Sequence, residues 1–258
     1  MTDSESNFLL RAREARANDI AAVIVTVVRG STVGAKLLLI SDDVRGSLGT
    51  TELDDAGLAT AREAMTTGKS GIVALSPDVD AFVDVFLPPP LLVLIGAVHV
   101  AQAVVTFARP LGFRIVVVDA RQTLATRERF PEVDDLIVAW PDEAYPRLPI
   151  TPSSAIVILT HDPKFDEPAI LGALGTDAGY IGAVGSRKTN VDRRERLLEA
   201  GATDEQIDRV HGPIGLDIGG NSPEEMAVSI LAEIIAVRND RTGGSLRRAT
   251  GSIRGDGD

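Results

Sequence analysis

The sequence predicts an α/β protein, with a Rossmann-like parallel-sheet domain preceded by a small α+β domain. Three observations predict it. Leu91 to Asp119 reads as apolar strand, glycine turn, helix, apolar strand and terminal acid, the first half of a Rossmann unit. Its two strands are apolar without alternation, as strands buried on both faces of a parallel sheet should be. Upstream, short strands and tight turns surround one long helix, the pattern of an antiparallel or mixed sheet. Pro88-Pro89-Pro90 separates the two patterns as a stiff extended linker. The predicted units are therefore 1–87, 91–240 and a flexible polar tail over 241–258.

The elements follow in order. Ser4 to Ala17 is a helix with Phe8, Leu9, Ala12 and Ala15 on one face. Ala21 to Val28 is a β-branched strand, Gly30-Ser31-Thr32 a turn, and Ala35 to Ile40 a second strand. Arg45 to Gly49 is a short strand or loop. Thr51 to Thr67 is a helix that Gly68 closes. Ile72 to Leu75 and Ala81 to Phe86 are further strands. After the linker come Leu91–Ile95, a helix over Val100–Arg109, and Phe113–Val118. Asp135–Ala139, Ala155–Thr160 and Tyr180–Val184 are later strands. Helices are expected over Glu167–Leu174, Asn190–Ala200 and Thr203–Val210. Ser222-Pro223-Glu224-Glu225 carries an N-cap serine, a proline and an N3 glutamate, which opens a last, largely apolar helix to Arg238.

Ligands of such sheets bind at the carboxyl ends of the strands. That rule brings Gly96, Val98, His99, Asp119, Arg121, His161 and Asp162 into consideration. The turn departs from G-x-G-x-x-G because Val98 stands where the middle glycine would admit a pyrophosphate. An ordinary NAD(P) site is thereby disfavoured, and Val98 is expected where the phosphate would lie. His99, His161 and His211 suit a metal site, contact with a polar ligand, or simple capping of strand ends. Ser186-Arg187-Lys188 begins a helix, where an anion would satisfy both the dipole and the cations. Those cations are equally consistent with solvation or pairing to aspartate. Gly215, Asp217 and Gly219 belong to a loop that brings backbone N–H groups to a ligand or makes tight turns.

Composition narrows the function. The chain has 258 residues, net charge −11 and no cysteine. Broad nucleic-acid or anionic-membrane binding is disfavoured, and disulfides, zinc–thiolate sites and cysteine nucleophiles are excluded. No apolar run reaches membrane-span length. No signal peptide is visible, so a cytoplasmic protein is expected.

Four ordered segments, GAVHVAQAVVTFARPLGFRIVVVDAR, LTHDPKFDEPAILGAL, YIGAVGSRKT and HGPIGLDIGGNSPEEMAVSILAEIIA, resemble the XdhC/CoxI family of accessory proteins. TVVRGSTVGAKLLLI followed by GSLG resembles that family's N-terminal unit. The resemblance implies binding of molybdenum cofactor (a pterin ending in a phosphate) in a cleft between the domains, and its protection during sulfuration. Delivery to the apoenzyme of a xanthine or carbon monoxide dehydrogenase would follow. It further implies a separate cysteine desulfurase as sulfur donor, self-association as a homo-dimer, and no catalytic residue. The family's turn usually reads Gly-Ala-Gly-His, so Val98 is a departure. Shortened Ser31–Gly34 and altered Gly49–Glu52 segments are two more. The alternatives are an NAD(P)-dependent oxidoreductase and a divergent paralogue that serves only as a docking scaffold.

Overall fold

The computed structural model describes residues 3–160 and 162–248, with side chains from residue 7 onward except that of Pro163. Two units meet between Pro89 and Pro90. In the first, β1 (Ala22–Arg29), β2 (Lys36–Ile40), β3 (Asp43–Ser47), β4 (Gly71–Ser76) and β5 (Val79–Phe86) form an antiparallel sheet in the order β3-β2-β1-β5-β4. Helix α2 (Thr51–Thr67) packs over one face, burying Val23, Val25, Leu37 and Leu39. Helix α1 (Asp3–Ala17) covers the other through Phe8, Ala12 and Ala15. The bounds of α2 are chemical. Thr50 accepts from the Leu53 N–H at its start, and Gly68 ends it at φ +69, a conformation that favours glycine.

The second unit holds β6 (Leu91–Ile95), β7 (Arg114–Val118), β8 (Asp135–Ile137), β9 (Ala155–Ile158), β10 (Tyr180–Ala183) and β11 (Val210–His211). All pairings are parallel, in the order β11-β10-β9-β6-β7-β8. That is the doubly wound Rossmann order, with its reversal between β6 and β9. Leu91 to Ile95 are all buried, because alternate side chains meet different helical layers. Leu92 and Leu94 pack toward α3 (His99–Ala108) and α8 (Pro223–Arg238). Leu91, Val93 and Ile95 pack toward α4 (Pro141–Ala144), α5 (Pro163–Leu174), α6 (Arg187–Glu199) and α7 (Asp204–Ile207).

Several boundaries differ from expectation. Helix α5 begins at Pro163, not Glu167, because Asp162 caps it and accepts from the Lys164 N–H at 3.0 Å. Helix α6 begins at Arg187, three residues before Asn190, with Ser186 as cap. The expected helix over Thr203–Val210 stops at Ile207, and Val210-His211 becomes the sixth strand. Helix α4 has no counterpart among the expected elements. His161 and residues 249–258 lie outside the described residues, so the expectation of a flexible tail is tested only as far as residue 248. There, Gly243 lies close against Leu216.

Candidate functional site

The carboxyl ends of β6, β7, β9, β10 and β11 share one rim. At its centre Gly96 adopts φ +108, and a Cβ there would fall 2.8 Å from Thr160 Cγ2. Only glycine lets the β6–α3 turn pass the end of β9 this closely. Asp119, 4% exposed, braces the turn from the end of β7. Its Oδ2 accepts from the Ala97 N–H at 2.7 Å and from Arg121 Nη2 at 2.7 Å, and its Oδ1 accepts from Arg121 N and Nε. Burial pushes the Asp119 carboxyl up, but the bonds from Arg121 and Ala97 outweigh it and hold the group below its usual range. This acid is thus a brace with its oxygens engaged, in contrast to the free acid that reads a ribose hydroxyl. Val98 is half-buried against the α3–α8 core. Its side chain packs on that core.

Further along the rim, the glycine-rich loop after β11 is tied to α8. Ser229 and Glu233 are four residues apart and share a helix face. Ser229 Oγ donates to Leu216 O at 2.6 Å, and the Gly215 N–H donates to Glu233 Oε2 at 2.8 Å. One turn earlier on that stripe, Glu225 accepts from the Asn221 and Ser222 N–H groups. Gly215 adopts φ +97, and a Cβ on it would collide with Ser229 Oγ. Glu233 also accepts from the Tyr180 hydroxyl at 2.5 Å, and His211 Nδ1 lies 3.7 Å from its Oε1. The His211 and Tyr180 rings stack 4.7 Å apart. Burial raises the Glu233 carboxyl, yet His211, Tyr180 and the Gly215 N–H together leave it below its ordinary value. The Tyr180 hydroxyl is pushed far up, by burial first and by Glu233 second.

Between this loop, α8 and the start of α6 lies a cleft of about 430 Å³, within the range that admits small ligands. Ile214, Leu216, Met226 and Ile230 supply apolar walls, and Ser229 and Asp217 polar ones. Arg187 also lines it and, among the described residues, makes no hydrogen bond or ion pair. The Gly215, Leu216 and Ile218 N–H groups are already bonded to α8 or within the loop, so the guanidinium is the group suited to an anion there.

The predicted residues therefore divide. Arg187, Gly215, Asp217 and Gly219 line one cleft. Asp119 and Arg121 pair with each other. Asp162 and Ser186 are helix caps. Lys188 is spent on Asp192 at 2.9 Å in solvent, leaving Arg187 the cation that faces the cleft. His99 is exposed at the first position of α3. Among the described residues no cluster of three or more His, Asp or Glu could hold a metal. Sequence reasoning misses Ser229 and Glu233, although polar residues at 225, 229 and 233 interrupt an otherwise apolar helix.

A six-stranded sheet in Rossmann order, with a cleft on its carboxyl rim and an antiparallel α+β unit before it in the chain, defines a protein of the Rossmann class. The particular family follows from comparison. Residues 92–234 match the XdhC Rossmann domain and residues 15–76 match the XdhC and CoxI family. The chain belongs to the XdhC/CoxI family. It is 34% identical over 157 residues to a probable xanthine dehydrogenase subunit of Bacillus subtilis (strain 168), covering 61% of this chain and 46% of that protein. It is 33% identical over 202 residues to the uncharacterised protein YqeB of Escherichia coli (strain K12), covering 74% and 37%. The molybdenum cofactor insertion chaperone PaoD of Escherichia coli (strain K12) is 30% identical over 89 residues, covering 34% and 28%. The chain thus spans less than half the length of each of these curated relatives. A crystal structure of a xanthine dehydrogenase from Bacillus halodurans superposes with TM-score 0.68 at 25% identity, covering 93% of this chain and 66% of that one.

Proposed function

We propose that the chain is an accessory protein that binds molybdenum cofactor and passes it to the apo form of a molybdenum hydroxylase. The cofactor is cargo, and no residue acts in covalent or acid–base catalysis. Its terminal phosphate pairs with Arg187, and its pterin lies along the apolar wall formed by Ile214, Leu216 and Met226. The observation that carries this reading is Arg187, unpaired among the described residues, at a cleft of about 430 Å³, in a chain whose relatives include a cofactor insertion chaperone. A chain without cysteine cannot hold persulfide sulfur, so sulfuration falls to a separate cysteine desulfurase. The oxidoreductase reading loses support because Asp119 is engaged by Ala97 and Arg121.

The test is retention. Purified chain mixed with molybdenum cofactor and passed through a desalting column should keep close to one pterin per chain, measured by fluorescence after oxidation. Preloaded chain should then activate an apo-hydroxylase faster than free cofactor does. Recovery no greater than with an unrelated acidic protein defeats the reading.

A further inference from the structure

We propose that the same rim carries a second binding surface, in which Trp140 and Phe165, with Arg121, form a platform for a planar nitrogen heterocycle of the purine or pterin kind. The residues come from three separate crossovers. Arg121 follows β7, Trp140 follows β8, and Phe165 lies in the first turn of α5 after β9. Each thus lies past a carboxyl strand end, where this architecture binds ligands.

The indole of Trp140 and the ring of Phe165 are 4.4 Å apart and 14° from parallel. Phe165 covers one face of the indole, yet Trp140 remains 41% exposed and neighbouring Val138 49% exposed. Apolar surface of this kind in contact with water favours an apolar, flat guest. The platform is also held still. The Arg121 guanidinium lies 5.4 Å from the Phe165 ring centroid, and the buried Asp119 fixes it through Nε and Nη2. That leaves Nη1 without a partner among the described residues, as a donor beside the stack.

Charge decides what kind of guest fits. Asp119 balances Arg121, and Asp162 is close enough to act on it as well. The surface is therefore not an anion trap like the Arg187 cleft. It selects a ring with hydrogen-bond acceptors, and the affinity comes from stacking. The inference does not depend on cofactor binding at Arg187.

Trp140 is the sole tryptophan of the chain, so its fluorescence reports the site directly. Full-length protein is titrated with guanosine, adenosine and pterin, with ribose 5-phosphate as a control lacking a ring. The expected result is saturable quenching by one or more of the ring compounds and none by the sugar phosphate. Phe165→Leu, which removes the ring that backs the indole, should weaken that binding measurably. In equilibrium dialysis the exposed-site variant Trp140→Leu should lose the ring ligand, while Arg187→Ala should keep it. Preference for guanosine, adenosine or pterin identifies the source of the ring. No saturable change with any ring compound, equal quenching by ribose 5-phosphate, or undiminished dialysis binding by Trp140→Leu overturns the proposal. Failure of cofactor retention at the Arg187 cleft would leave it standing.

Discussion

Replacing Glu233 by alanine tests how the cleft is built. The carboxylate accepts from the Tyr180 hydroxyl at 2.5 Å and from the Gly215 N–H at 2.8 Å. Tyr180 is 4% exposed, so water cannot readily replace its lost partner, at a cost of about 1–3 kcal/mol. Gly215 is less buried and can recruit water, which limits its share to about 1 kcal/mol. The expected loss is therefore about 2–4 kcal/mol. Glu233→Gln keeps an acceptor oxygen and should lose less than half as much. Urea unfolding followed by Trp140 fluorescence reports on the second unit, which contains that residue. The effect is also pH-dependent. The Glu233 carboxyl is depressed in the fold, so its contribution is complete above the unfolded value of about 4.3 and fades as pH falls through the lower folded value. Glu233→Ala should therefore flatten the acid limb of the stability curve. A loss under about 0.5 kcal/mol, or equal losses for alanine and glutamine, refutes the loop–helix tie.

Three other outcomes follow from the same geometry. Arg193, 2% exposed, pairs with Asp166 at 3.0 Å and donates to Val184 O at 2.8 Å. Asp166→Ala strands that buried cation and should cost about 3–5 kcal/mol by urea denaturation. Gly215→Ala should lower both stability and cofactor retention, because its φ of +97 and the nearby Ser229 Oγ leave no room for a Cβ. Native retention at an unchanged melting temperature would contradict this. Val98→Gly should lose about 1–2 kcal/mol of core packing and gain no stabilisation from NAD or NADP in a thermal-shift assay, since Ala97 and Asp119 stay bound to each other.

Much of this architecture is readable because its signals are local. The uninterrupted apolar run Leu91–Ile95 marks a doubly covered strand, and Ser222-Pro223-Glu224-Glu225 marks a helix start without reference to anything distant. The site is less readable because its bonds are tertiary. Nothing near Glu233 in sequence announces that Gly215 and Tyr180 will meet it. The recurrence of polar residues at 225, 229 and 233 is the available clue. Val210-His211 is too short a strand to show periodicity, so in sequence it merges with the preceding helix. Asp162-Pro163 is a helix-start signal directly after a strand, and its place there draws attention to ligand contact in preference to capping. Arg193 and Asp166 sit in charged stretches of sequence, and only the packing of α5 on α6 buries them against each other.

The central claim is that Arg187 holds the phosphate of the bound pterin. The direct measurement is the affinity of the oxidised pterin derived from the cofactor, with and without its phosphate, for wild-type chain and for Arg187→Ala. The wild type should prefer the phosphorylated form by about ten- to a hundredfold, the worth of one charge-assisted pair, and the variant should show almost no preference at unchanged stability. The same preference in both proteins, or none in the wild type, would contradict the account.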